Sequence, residues 1–347
     1  MKIISRHRLL AAIAALALVG CSGSNGAAPA GGGGDAKIKA RGYLSCSGSQ
    51  GVPGLSRADE KGVWRGFDSD ICRAITAAIL GDAEKVRFVP LNAAQRLPAV
   101  QTGEIDVLSR TSTLTFTRDM AIRFVSITLY DSDAVLVRKA LGVKTLKDLG
   151  GKTVCMQGGG SLVENALDEL EEEHKIKLER VYFDSTITAR DTYLAGRCDM
   201  YVTDGLAARS QLATVVENPG EHDLMYIGRT IEPNGVAIAR GDDRMFDIVR
   251  WTVNLLIWAE ANGITQANVD EKLASGSAEI KRVLGADDAY GRALGLDQKW
   301  AYNVIKQVGN YAEIWDRNLG AGTPIKAERR LNALQANGGL HFPLPWD

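Results

Sequence analysis

From Tyr43 onward, short apolar runs alternate with stretches of helical period. Tyr43-Leu44-Ser45-Cys46 reads as a strand, and a loop rich in Gly, Ser and Pro leads from it to Gly66-Phe67-Asp68. A helix is expected to start there, with Asp68 as N-cap and Ile71, Ile75, Ala78 and Ile79 on one apolar face. Lys85 to Pro90 predicts the next strand, Ala94 to Gln101 a helix, and Ile105 to Leu108 a third strand. Strands separated by helices pair in parallel through right-handed crossovers, so the first half predicts an open α/β sheet. A second cycle begins at Ala134-Val135-Leu136-Val137, with a helix at Leu146 to Leu149, a strand at Thr153 to Met156 and a glycine turn. Leu162, Val163, Ala166, Leu167 and Leu170 then share one helix face, with acidic residues on the other. Further strands fit Arg180 to Phe183, Met200 to Val202 and Gly235 to Ala239, and from Met245 the chain is largely helical.

The N-terminus has a different pattern. Lys2, Arg6, His7 and Arg8 precede an apolar run from Leu9 to Val19 that is too short to span a bilayer, which reads as a secretion signal over 1–20. The run ends in Leu18-Val19-Gly20-Cys21, which resembles the lipobox of bacterial lipoproteins and implies acylation of Cys21. Acyl chains contribute about 0.8 kcal/mol per buried CH₂, enough in combination to hold a folded body at a membrane surface. Residues 21–35 are mostly Gly, Ala and Ser and read as a tether spanning about 20 Å. The expected location is the periplasm or cell envelope, anchored by lipid.

The chain is 45% hydrophobic with a net charge of -1, which suits two cores and offers no basic face for nucleic acid. His7, His174, His222 and His341 are scattered without Cys or carboxylates at ligand spacing, so neither a metal site nor a cofactor is expected. Setting Cys21 aside leaves Cys46, Cys72, Cys155 and Cys198, and an oxidising compartment favours bridges. Four thiols permit three pairings. Cys46 lies in the first strand and Cys72 in the first turn of the next helix, while Cys155 and Cys198 lie in two later strands. The expected bridges are therefore 46–72 and 155–198.

Three polar clusters stand at the carboxyl ends of these strands, where open α/β sheets bind ligands. The first is Ser109-Arg110-Thr111-Ser112-Thr113-Leu114-Thr115-Phe116-Thr117-Arg118, in which a guanidinium and neighbouring hydroxyls suit an anionic group, or alternatively a surface arginine stands beside helix-capping threonines. The second is Gln157-Gly158-Gly159-Gly160-Ser161, which lacks the pattern of a phosphate or dinucleotide loop. Ser161 and Glu164 have the spacing of a capping box, leaving the Ser161 amide for a ligand. The third is Thr203-Asp204, where the aspartate either faces a cleft and holds an ammonium or caps the next helix.

Asp106-Val107-Leu108, Thr113, Thr115 and Arg118, with Gly66-Phe67-Asp68 upstream and Gly196-Arg197-Cys198-Asp199 and Asp204 downstream, resemble the polar amino-acid-binding family of ABC importers. The tail, with Val308-Gly309-Asn310-Tyr311 and Leu331-Asn332-Ala333-Leu334, resembles its general L-amino-acid-binding branch. The resemblance implies a type II periplasmic-binding-protein fold of two α/β lobes joined by a two-strand hinge. Lobe 1 would comprise 36–130 and 235–347, and lobe 2 would comprise 133–232. It further implies that Arg118 grips a ligand α-carboxylate with help from Thr113, Thr111, Gly159 and Ser161, that Asp204 takes the α-ammonium, and that Ser49 and Gln157 line the pocket. Gly51 and Ala93 stand where many relatives carry aromatics, so the side-chain pocket should be open and of broad specificity. Its partners would be an L-amino acid, an ABC permease and, through Cys21, membrane lipid, with the chain itself monomeric. The alternative on this scaffold is a dehydratase of arogenate or prephenate type. Such an enzyme needs a poised acid, and no glutamate lies in the three clusters.

Overall fold

The computed structural model describes residues 33–347 apart from 50, 160, 229 and 230, so Cys21 and the expected signal lie outside the described residues. The strands are β1 Leu44–Gly48, β2 Arg57–Ala58, β3 Trp64–Arg65, β4 Val86–Pro90, β5 Arg123–Asp131, β6 Asp133–Arg138, β7 Thr153–Gln157, β8 Glu179–Phe183, β9 Met200–Asp204, β10 His222–Tyr226 and β11 Glu232–Ile238. Through β11 the intervening helices are α1 Gly34–Arg41, α2 Phe67–Leu80, α3 Arg96–Thr102, α4 Phe116–Ala121, α5 Val163–His174, α6 Thr186–Leu194 and α7 Gly205–Thr214. After β11 come α8 Asp243–Ala261, α9 Val269–Ser275, α10 Ala278–Val283, α11 Ala289–Leu294, α12 Trp300–Val308 and α13 Tyr311–Asn318. The architecture is α/β with two open, mostly parallel-stranded layers, as the order of elements predicts.

In the first layer β4 pairs with β1 in parallel, Val107 bridges Cys46 in parallel, Leu108 bridges Ala237 in β11, and β11 runs antiparallel to β5. The strand expected at Ile105 to Leu108 is reduced to these single bridges, yet Leu108 and Ala237 exchange backbone hydrogen bonds of 2.8 and 2.9 Å, so it still joins the two halves. Helices cover both faces. Phe67, Trp300, Tyr311 and Trp315 fill one side with α2, α8, α12 and α13, and Val100, Ile105, Leu108 and Phe124 fill the other.

The second layer has strand order β10-β6-β9-β7-β8, with β6 antiparallel to both neighbours and β7 parallel to β8 and β9. The two-residue period of a strand sorts its side chains. Val135, Val137, Val154 and Met156 point to the α5 face, and Ala134, Leu136 and Cys155 point to the face of Ala189 and Ala208 from α6 and α7. Both expected bridges form, Cys46–Cys72 and Cys155–Cys198, with Cα–Cα distances of 6.2 and 5.8 Å.

Several local expectations change. Asp68 is not the N-cap of α2. Gly66 holds that position at φ 127, where a Cβ would lie 2.3 Å from the Leu55 carbonyl oxygen, and the Asp68 carboxylate accepts instead from the Thr111 amide at 3.2 Å. The Ser161–Glu164 capping box does not form either, because α5 begins at Val163 after an N-cap at Leu162. Ser161 Oγ accepts only from the Val163 amide, at 3.4 Å. Leu146–Leu149 is a 3-10 turn closed by a Thr145–Asp148 box. α1 starts at Gly34, where buried Asp35 pairs with Lys39 and Arg244.

Candidate functional site

A cleft between the two layers collects side chains from both. Ser49, Ala93 and Thr113 line it from the first layer, and Gln157, Ser161, Thr203 and Asp204 from the second. Gly159, at φ 74, stands beside it against Ala94, and Gly51 faces Ile187 at the neighbouring groove. A wider groove bounded by Tyr130, Arg209 and the tail at Lys326 contains none of the predicted residues.

Each polar residue is held by a local device. Asp204 ends β9 directly across from Asp133 in β6 and occupies the N-cap position of α7 without a capping bond. The α7 amides are satisfied elsewhere, Gly205 donating to the Ser132 carbonyl at 2.8 Å and Leu206 to Asp131 Oδ2 at 2.9 Å. The Asp204 carboxylate is thus turned to the cleft rather than spent on its own helix. Gln157 is fixed at both ends, donating to the Asp184 carbonyl at 3.0 Å and accepting from Thr186 Oγ1 at 2.7 Å. Thr111 has φ 32, a region rare for a residue with a side chain, and its amide bond to Asp68 pins it there. Ser49 donates its amide to Ser56 Oγ at 3.2 Å.

Arg118 lies in α4, whose N-cap Thr115 accepts from the Arg118 amide. The guanidinium is 7% exposed and Nη1 donates to the Thr113 carbonyl at 3.0 Å, but it is not among the side chains that line the cleft. Burial draws its pKa below the usual guanidinium value, with Glu232 and Asp204 opposing.

Four charged residues are at the cleft that the sequence clusters did not assign. Arg96 projects from α3, its Nη1 3.3 Å from the carbonyls of Arg110 and Thr111, and Arg110 stands beside it. Asp133 and Glu232, the first residues of β6 and β11, converge with Asp204 so that carboxylate oxygens from all three lie within 4.8 Å of one another. Thr113 Oγ1 donates to Glu232 at 3.0 Å. No glutamate lies in the three sequence clusters, but the fold brings one to the cleft from outside them, Glu232 at the start of β11. Only a marker of polar residues in otherwise apolar strand starts, such as Asp133 before Ala134-Val135, could have pointed to these positions.

Burial raises every carboxyl in this group. Asp133 is pushed up to about 9 with Glu232 and Asp204 adding repulsion, Glu232 to about 7, and Asp68 to about 7. Asp204 is raised too, against the pull of Arg96 and Arg110. A cleft with converging acids on one side and guanidiniums on the other can accept an ammonium and a carboxylate at the same time.

Comparison with known proteins fits this geometry. The profile of the bacterial extracellular solute-binding proteins, family 3, matches residues 44–301. The chain belongs to that family. It is 44% identical over 312 residues to the general L-amino acid-binding periplasmic protein AapJ of Rhizobium johnstonii, covering 89% of this chain and 91% of the relative. It is 39% identical over 314 residues to the glutamate/glutamine/aspartate/asparagine-binding protein BztA of Rhodobacter capsulatus, covering 89% and 92%. Among solved structures, an ABC transporter periplasmic binding protein from Brucella ovis with glutathione bound superposes with TM-score 0.87 at 39% identity, covering 90% of this chain and 99% of that one. These relatives are named as binding proteins, and the two-lobe periplasmic-binding-protein fold is shared with them. No helix among the described residues is long and apolar enough to cross a membrane.

Proposed function

We propose that this family member is an extracytoplasmic lipoprotein that captures L-α-amino acids of several kinds in its inter-lobe cleft and delivers them to an ABC permease. The reading is supported most by the opposition of charge at the cleft, where uncapped Asp204 faces the lining guanidiniums of Arg96 and Arg110, with buried Arg118 close to them and held by the Thr113 carbonyl. In this reading Arg118 supplies the field for the α-carboxylate, and Thr113, Thr111, Gly159 and Ser161 provide hydroxyl and amide donors around it. Asp204 accepts from the α-ammonium, helped by Asp133 and Glu232. Lobe 1 takes 36–130 and 235–347 and lobe 2 takes 133–232, and Cys21 carries the acyl chains. Ala93 at the wall leaves room for varied side chains, which favours broad specificity. The name of AapJ as a general L-amino acid-binding protein supports the same breadth.

Glu232 and Asp68, both raised to about 7, suit proton transfer, but the relatives are named as binding proteins and the dehydratase alternative gains no further support. Mass spectrometry of the mildly purified protein tests the proposal. The expected result is amino acid retained by the native chain, acyl mass on Cys21, and loss of the retained ligand in Arg118→Ala with an unchanged circular dichroism spectrum. Amino acid retained equally by Arg118→Ala removes that residue from the site.

A further inference from the structure

The cleft holds more positive charge than a neutral amino acid uses. Arg110 is 7% exposed, lines the cleft, and its side chain donates no hydrogen bond among the described residues. Its buried Nε lacks a partner, and so does the Nε of Arg96, which is 5% exposed. A guanidinium carries five donors, and burying them unsatisfied is costly. Asp68 and Asp204 lie near enough to act on Arg110 by charge, but Asp68 gives its hydrogen bond to the Thr111 amide and neither carboxylate bonds the guanidinium. Burial depresses the pKa of both Arg96 and Arg110; repulsion from Arg110 and Arg118 adds to it at Arg96, while Asp204 and Asp68 oppose it at Arg110. Two neighbouring buried guanidiniums are best satisfied by an anion that bridges or faces them. Arg118 donates to the Thr113 carbonyl and is not among the side chains that line the cleft, whereas Arg96 and Arg110 both are.

We propose that Arg96 and Arg110 form a second anion subsite, which reads a carboxylate on the ligand side chain and makes acidic amino acids the preferred members of the substrate range. This rests on the amino-acid reading of the cleft. Arg110 is the residue to vary, because Arg96 also ties the backbone of the Arg110–Thr111 loop through two carbonyls.

The test is calorimetry of wild type and Arg110→Gln with L-glutamate, L-glutamine and L-leucine at pH 7. Wild type is expected to bind glutamate more tightly than the isosteric glutamine by about tenfold or more, the order of one charge-assisted hydrogen bond. Arg110→Gln is expected to lose about thirtyfold for glutamate while glutamine changes by less than about threefold. Equal affinities in wild type, or equal losses for both ligands in the variant, overturn the second subsite while leaving amino-acid binding intact. Absence of binding for all three ligands overturns the amino-acid reading and the subsite with it.

Discussion

Asp133 shows how far burial can move a carboxyl group: water is excluded, Glu232 and Asp204 repel its charge, and its pKa rises to about 9. Asp131, under α7, rises to about 8, and Glu232 and Asp68 to about 7. Unfolded carboxyls titrate near 4, so the folded state holds these protons more tightly. Their contribution to stability is fully present below about pH 4 and is lost as pH rises through about 7 to 9. The ligand-free protein should therefore melt at lower temperature at pH 8 than at pH 5. A bound ammonium offsets the repulsion once the acids ionise, so the rise in melting temperature on adding amino acid should be larger at pH 8. Calorimetric scans at both pH values check this, and a ligand-induced rise that is greater at pH 5 would contradict it. Thr113 and Asp204 were legible as cleft-lining residues because they stand in local patterns near strand ends, whereas Arg118, in the same pattern, is buried in α4 without lining the cleft. Arg96 was hidden in the periodicity of a helix, Arg110 stood in the quoted loop without a role, and Asp133 and Glu232 meet only after β6 and β11 are laid together.

Alternation of apolar runs and helical periods located most strands and helices, because each element buries one face and its period survives in sequence. The disulfides were legible for a related reason: β1 lies against α2, so Cys46 meets Cys72, and β7 lies beside β9, so Cys155 meets Cys198, which stands in the bend just before β9 and not in a strand as expected. Helix starts were less legible. Asp68 and Ser161 both stand at plausible caps, yet tertiary partners or chain direction claimed them, and Gly66 and Leu162 took the cap positions. The bridges close loops of 26 and 43 residues, for which chain entropy gives about 3–4 kcal/mol each. One lies in each layer, so reductant should lower the melting temperature through both. Coincident melting curves with and without reductant, with thiols titrated free after the treatment, would contradict a stabilising role.

At the scale of the molecule, function depends on how the layers are joined. β5 passes into β6 through Ser132 alone, and β11 begins at Glu232 paired with Asp131, so the two crossings lie side by side as a hinge should. Asp133 and Glu232 thus stand both at the crossings and next to Asp204, so under the proposed reading a ligand ammonium would act on the pivot itself. The layers also touch across the cleft, where Ser210 Oγ donates to the Pro53 carbonyl and Gly159 lies against Ala94. A ligand holding both sides would prefer a form in which they are close, and about 5.5 kcal/mol of preference moves a 1:99 mixture to 99:1. One buried contact at each end of a zwitterion is of that order. The crossings are what element order leads one to expect, but the convergence of the acids there was not legible, because it is produced by pairing between residues about a hundred positions apart. The most direct test is small-angle X-ray scattering of the protein titrated with an amino acid, with the matching amine lacking the carboxylate, and with the matching acid lacking the amine. The account predicts a smaller radius of gyration with the intact amino acid only. Equal contraction by either half-molecule, or none with the whole one, would contradict it.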